Sequence, residues 1–280
     1  MLKQNSKCKW MVSTDLDGTL LDHHSYSWLP AETALSRLAS LNIPVVLNTS
    51  KTLQEAKTLA AEMSLSSEPI IVENGSAIFF QKTSRLVEFG AKRGELVSWL
   101  REKIHDHGYQ LECYSDWSVQ QIMDATGLGK LSAQASANKH YSEPFIWNDS
   151  LERLANFMSQ AESAGYKVLK GGRFYHLQGM VDKATPLNWL RKNVSEIWPE
   201  YTDLSVIALG DNQNDVDMLN ASDYPICIKS PVAVFPELAD RNEDLPAARY
   251  SNALGPEGWN EQIQKLLNEL KFEDLEVTHG

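Results

Sequence analysis

Three aspartates in this sequence stand just past apolar runs. Asp15 and Asp17 follow Trp10-Met11-Val12, and Asp211 follows the run Leu204 to Leu209. Thr49 stands just beyond a third run, Pro44 to Leu47. If these runs are strands of an open parallel sheet, all four side chains belong to the rim beyond the carboxyl ends of the strands, where ligands collect. Carboxylates gathered on one rim need a counter-charge. A hard divalent cation that takes oxygen ligands, Mg2+, is the natural one. A carboxylate is also a nucleophile toward phosphorus. An Asp-x-Asp spacing lets one carboxylate attack while the other handles the protons of the leaving group and of water.

Phosphoryl transfer further requires that charge on the equatorial oxygens be neutralised. Lys183, ahead of a helical segment containing Pro186, and the hydroxyl of Thr49 are suited to that. Gly18 lets the chain turn sharply past the site. Taken singly these residues have ordinary explanations, since Asp-Gly is a common turn pair and a lone lysine is usually solvated. Their joint placement carries the reading.

The elements that must position them alternate. A strand at residues 10–12 is followed by a helical stripe (Ala31, Ala34, Leu35, Leu38, Leu41) opened by Pro30. A strand at 44–47, a helix with Leu53, Ala56, Leu59 and Ala60, and a strand at 70–72 continue the pattern. After Lys183 it resumes with one helix through Leu187, Leu190, Val194 and Ile197, a strand at 204–209 and a short strand at 225–228. Such alternation predicts an α/β fold, a Rossmann-like parallel-sheet core with crossover helices. The middle reads differently, with helical stripes at Leu96, Trp99, Leu100 and at Leu151 to Ala161, and a short strand at 144–147. This predicts an inserted α+β cap domain at 84–170, the core being built from 1–83 and 171–280.

Composition narrows the class. The chain has 280 residues, 42% apolar and 22% charged, enough to bury a substantial core. No apolar run approaches the ~20 residues needed to span a bilayer, and Met1 to Lys9 lacks the apolar stretch of a signal peptide. A cytoplasmic protein without a membrane partner is therefore expected. The three cysteines form no CxxC pair, which points away from disulfides and zinc. A formal charge of −11 argues against nucleic acid, so the eight tryptophans are assigned to packing rather than base stacking. Gly127-Leu128-Gly129-Lys130 lacks the glycine spacing of a phosphate loop, and His23-His24 reads as an exposed loop pair.

Asp15-Leu16-Asp17-Gly18-Thr19-Leu20 resembles the first motif of the haloacid dehalogenase superfamily. Thr49 falls at the second motif, Lys183 at the third, and Gly210-Asp211-Asn212-Gln213-Asn214-Asp215 is similar to the fourth. Glu73-Asn74-Gly75 marks the branch with a large cap between the second and third motifs. The resemblance implies a magnesium-dependent phosphatase with an aspartyl-phosphate intermediate. Asp15 would be nucleophile and metal ligand, and Asp17 general acid and base with its main-chain carbonyl on the metal. Thr49 and Lys183 would hold the phosphoryl group, and Asp211 with Asp215 would complete the metal site. A narrower likeness, to mannosyl-3-phosphoglycerate phosphatases, lies in residues 48–52, Thr126-Gly127-Leu128, Tyr141-Ser142-Glu143-Pro144, residues 171–177 and Gly255-Pro256-Glu257-Gly258-Trp259.

That likeness implies a glycosyl-phosphoglycerate or other small phosphorylated metabolite as substrate. Ser50, Lys51, Lys139, Glu143, Arg173 and His176 would be its binding residues. Arg173 offers a bidentate fork for a carboxylate, while Glu143 and His176 suit hydroxyls. Lys139 replaces an expected arginine, and Asn212-Gln213 an expected Ser-Pro. A glucosyl-3-phosphoglycerate or other sugar phosphate, a phosphomutase and a silent metabolite-binding protein are the alternatives. The complete set of Asp15, Asp17, Lys183 and Asp211 disfavours the last.

Overall fold

The computed structural model describes residues 8–171 and 174–272. The first half alternates as expected: β1 (Cys8–Thr14), α1 (Glu32–Ser40), β2 (Val45–Asn48), α2 (Leu53–Glu62) and β3 (Pro69–Val72), then a hairpin of β4 (Ala77–Phe80) and β5 (Arg85–Glu88). The middle holds α3 (Arg93–His107), β6 (Leu111–Cys113), α4 (Val119–Thr126), α5 (Lys130–Ala137), β7 (Ser142–Trp147), α6 (Leu151–Ser163), β8 (Tyr166–Gly171) and β9 (Phe174–Gly179). The last part is α7 (Ala184–Lys192), α8 (Val194–Ile197), β10 (Asp203–Gly210), α9 (Val216–Asn220), β11 (Tyr224–Lys229), β12 (Arg249–Leu254) and α10 (Gly255–Glu269).

Two sheets result. The large one has the order β12-β11-β10-β1-β2-β3-β4-β5, parallel from β12 to β3 and antiparallel in the β4–β5 hairpin; the small one is antiparallel with the order β6-β7-β9-β8. Parallel strands covered on both faces read as continuous apolar runs, and the alternation within each run divides its side chains. Val12, Val45, Leu47, Ile70 and Ile207 join the core beneath α1, α2 and α10, while Met11, Val46, Ile71 and Val206 face Leu187 and Leu190 of α7. The small sheet has its own core, in which Phe145 and Leu177 pack with Leu96 and Leu100 of α3 and Phe157 of α6.

The structure moves three boundaries. Strand β5 pairs with β4 from Ala77↔Glu88 to Phe80↔Arg85, so residues 85–88, expected in the cap, extend the large sheet. Strand β9 pairs with both β7 and β8, so residues 174–179, expected in the core, belong to the small sheet. The helix expected through Val194 breaks at Asn193, whose φ of −115° leaves the helical region and whose Nδ2 donates to Trp189 O at 2.7 Å.

Two features of the fold place the site. Strands β1 and β10 lie side by side from Cys8↔Asp203 to Thr14↔Leu209, so Asp15 and Asp211 leave the same sheet edge together. Strand β2 continues the sheet on the far side of β1, and a divergence of this kind is where open α/β sheets bind ligands. Trp259 of α10, fully buried, donates from Nε1 to Thr14 Oγ1 at 3.0 Å, and that hydroxyl donates to Asp15 O at 2.8 Å. The C-terminal helix thereby fixes the backbone at the first aspartate.

Candidate active site

Asp15, Asp211 and Asp215 are buried, with ligand-capable oxygens that all lie within 4.8 Å of one another. Lys183, with 0% exposure, reaches them from the start of α7. Its Nζ donates to Asp15 Oδ1 and to Asp215 Oδ1, each at 2.6 Å. A lysine at a helix N-terminus stands against the helix dipole. Here the start of α7 is capped instead by Asp182, whose Oδ1 accepts from Ala184 N at 2.9 Å and Thr185 N at 2.8 Å. Asn48 Nδ2 donates to Lys183 O at 2.9 Å, tying the lysine backbone to the end of β2.

Burial raises the Asp15 carboxyl pKa; Lys183 opposes the rise, and the charges of Asp215, Asp211 and Asp17 add to it. Burial works against the charge on Lys183, but Asp15 and Asp215 more than offset it and hold its pKa above the ordinary lysine value. Asp211 is pushed up to about 6, by burial first and Asp215 second, against a hydrogen bond from Thr19 Oγ1 at 3.1 Å. Three carboxylates with one lysine leave a net negative, oxygen-lined site, which fits a hard divalent cation. Asp215 is the most engaged of the three, because its Oδ2 also accepts from Asp211 N at 3.0 Å and Asn212 N at 3.1 Å. Asp15 keeps one oxygen for which no hydrogen bond is made among the described residues.

Asp17 stands apart from this group. Its carboxylate belongs to neither the three-aspartate cluster nor the Lys183 pairings, and Oδ1 lies 2.7 Å from Lys51 Nζ. Asp17 was expected at the metal through its main-chain carbonyl, and its side chain forms an ion pair with Lys51. Gly18, at φ +83°, turns the chain just after Asp17; a Cβ there would meet Asp211 Oδ2 at 2.7 Å. Thr49 is fully buried and its Oγ1 accepts from Lys51 N at 3.1 Å, which leaves the hydroxyl hydrogen for another acceptor.

Between this floor and the small sheet lies a cavity of about 200 Å³, lined by Asp15, Asp17, Ser50 and Asp211 below and by Leu169, Lys170 and His176 above. His176, on β9, is kept neutral: burial, aided by the charge of Lys139, lowers its pKa to about 3. Its ring is thus a hydrogen-bonding group rather than a cation. Lys139 donates to Ser50 O at 3.0 Å, so it joins the small domain to the floor instead of standing free for substrate. Glu143 is withdrawn from the expected binding set. It is fully buried in an ion pair with Arg93 Nε at 2.6 Å, and its other oxygen accepts from Ser115 N at 2.7 Å. Arg173 lies outside the described residues.

Three participants stand outside the expected site residues, two of them in the Glu73-Asn74-Gly75 triplet. Lys170 lines the roof, and its place immediately before Gly171-Gly172-Arg173 was the available signal. Asn74 lines the cavity too, donating from Nδ2 to Gln178 Oε1 at 3.2 Å and accepting from Asn214 Nδ2 at 3.4 Å. Glu73 grips the small domain, its carboxylate accepting from His140 N at 2.8 Å, Tyr141 N at 3.1 Å and Ser142 Oγ at 2.7 Å.

A doubly covered parallel sheet with aspartates at the ends of β1 and β10 and a buried lysine between them defines a class. The model for haloacid dehalogenase-like hydrolases matches residues 12–171, and the chain belongs to that family of enzymes. Two relatives are each named glucosyl-3-phosphoglycerate/mannosyl-3-phosphoglycerate phosphatase. The one from Persephonella marina is 34% identical over 277 residues, covering 93% of this chain and 98% of the relative. The one from Methanococcoides burtonii is 31% identical over 274 residues, covering 92% and 97%. Among solved structures, a haloacid dehalogenase-like hydrolase from Bacteroides thetaiotaomicron superposes with a TM-score of 0.65 at 18% identity, over 93% of this chain and all of the other. That likeness shows a shared fold.

Proposed function

We propose that this chain is a phosphatase that hydrolyses a glycosyl-3-phosphoglycerate, with mannose or glucose as the sugar, through a phosphoryl group carried on Asp15. The observation that supports it is the pairing of Asp15 with Lys183 at the floor of a cavity whose roof carries Lys170 and His176. The names of both relatives point to the same substrates. Asp15 Oδ2 forms the new bond to phosphorus, while Oδ1 stays on Lys183. Asp17, which takes up a proton from solvent before this step, gives it to the departing glycerate oxygen as the P–O ester bond breaks. Asp17, now ionised, takes a proton from water as that water attacks phosphorus, and the bond to Asp15 breaks to release phosphate.

Asp15, Asp211 and Asp215 are the carboxylates that would hold Mg2+. A bound Mg2+ would neutralise charge on the phosphoryl oxygens and let an anion approach the aspartates. Lys183 opposes the rise in the Asp15 pKa and fixes the direction of its carboxylate. Lys170 supplies positive charge to the far end of the substrate, and neutral His176 supplies a hydrogen bond. A cytoplasmic setting is part of the same proposal; among the described residues, no helix is long and apolar enough to cross a membrane.

The test is phosphate release, with Mg2+ and with EDTA, from mannosyl- and glucosyl-3-phosphoglycerate, 3-phosphoglycerate and hexose phosphates. Magnesium-dependent release with kcat/KM highest for a glycosyl-3-phosphoglycerate is expected. Equal, slow release from every ester would reject the substrate, and no release from any would reject the reaction.

A further inference from the structure

Lys51 was expected at the substrate, but it does not line the cavity, although its neighbours Ser50 and Asp17 do. Its side chain is largely buried, pairs with Asp17 Oδ1 at 2.7 Å, and lies 5.6 Å from the centre of the Tyr26 ring. Among the described residues, Lys51 is the one ion-pair partner of the Asp17 carboxylate, whose side chain is 40% exposed. Lys51, by contrast, is fixed from several sides. Its N–H donates to Thr49 Oγ1 at 3.1 Å and its carbonyl accepts from Glu73 N at 3.1 Å. The preceding carbonyl, of Ser50, accepts from Lys139 at 3.0 Å. Glu73 and Lys139 are among the residues that join the floor to the small domain.

We propose that Lys51 is a positioning residue for Asp17, holding the proton-transferring carboxylate in place and tying that placement to the docked small domain. The proposal rests on the phosphatase reading for its kinetic consequence, though not for its geometry. Lys51 neither gives nor takes a proton in either step. It sets where Asp17 stands when the ester oxygen needs one.

Two measurements test this. The first compares kcat/KM, which reports events up to the first P–O cleavage, for a glycosyl-3-phosphoglycerate and for p-nitrophenyl phosphate. The nitrophenolate leaves without a proton, whereas the glycerate oxygen requires one. Lys51→Met is expected to lower kcat/KM for the glycerate ester by about 10- to 100-fold, at or below the low end of the ~10²–10⁴-fold that a general acid contributes, and to lower it about tenfold less for the nitrophenyl ester. Lys51→Arg should restore most of the loss. Equal losses on both esters would overturn the proposal by making Lys51 a phosphoryl ligand, and no loss on either would overturn it as well. The second measurement does not depend on activity: in a crystal structure of Lys51→Met the Asp17 carboxylate is expected to leave its present position. An unmoved Asp17 would overturn the proposal whatever reaction the chain performs, while an inactive wild type with a displaced Asp17 would count against the phosphatase reading alone.

Discussion

A lysine with no exposed surface, touching two buried aspartates, sets the electrostatics of this site at the scale of single residues. Taking two charges out of water is costly, and their attraction repays the cost when the geometry is close; the 2.6 Å contacts of Lys183 meet that condition. Asp211 is the carboxylate left over. Its folded-state pKa of about 6 lies above the ordinary value of 3.8. The sign of the linkage follows, because the folded protein holds this proton more tightly than the unfolded chain does. Stability from this group is therefore fully present below pH 3.8 and is lost as pH rises through about 6. In EDTA the wild type should lose more melting temperature between pH 5 and pH 7.5 than Asp211→Asn does, and Mg2+ should recover the loss at the higher pH. Parallel thermal unfolding of the two proteins checks this; equal pH dependence with and without the carboxylate would contradict it. The two first-motif aspartates were legible as a pair because both chemistry and spacing pointed to them. Their different surroundings were not, since the ion pair of Asp17 depends on where β2 ends.

At the scale of elements, the turn after β3 carries more than its length suggests. Glu73, Asn74 and Gly75 have φ of 46°, 56° and 90°, three consecutive residues in the left-handed region. Gly75 has a second constraint, because a Cβ there would stand 1.9 Å from the backbone oxygen of Asp182, the residue before Lys183. Gly75→Ala is expected to destabilise the protein by about 2–4 kcal/mol, combining backbone strain with overpacking, and to lower activity by displacing Lys183. Urea unfolding measures the first effect; a change within 0.5 kcal/mol, the usual range of surface substitutions, would contradict it.

Strands and helices with strong apolar periods were read from sequence: β1, β2, β3 and β10 are apolar at their centres, α1 buries Ala34, Leu35 and Leu38, and α2 buries Ala56 and Ala60 with Leu53 and Leu59 partly buried beside them. The hairpin β4–β5 was not. Its second strand, Arg85-Leu86-Val87-Glu88, is short, and its hydrogen bonds come from a neighbour that local pattern does not identify. The helix break at Asn193 was missed for a similar reason, since Leu190, Val194 and Ile197 keep a helical period across it.

Across the whole molecule, an acidic chain with a formal charge of −11 accommodates anions by concentrating positive charge where it is needed. Lys183 lies beneath the aspartates, Lys170 is in the roof, and Lys51 and Lys139 are at the junction of the two sheets. The two sheets approach each other through Glu73, Asn74 and Lys139, so the docked arrangement closes the cavity above Asp15. The change in pattern between residues 84 and 170 was legible, and the small antiparallel sheet lies largely within it. The extent of that sheet was not, because β9 looks like core sequence until β7 and β8 are seen to flank it.

The claim at the centre of this account is that Asp15 carries the phosphoryl group, and an acid-quench experiment tests it most directly. The protein is mixed with Mg2+ and glycosyl-3-phosphoglycerate labelled in its phosphate, then quenched in acid and digested. Label on the peptide that contains Asp15 is expected, together with loss of both label and turnover in a folded Asp15→Asn. Turnover that survives in Asp15→Asn, or label that remains after the substitution, would contradict the account.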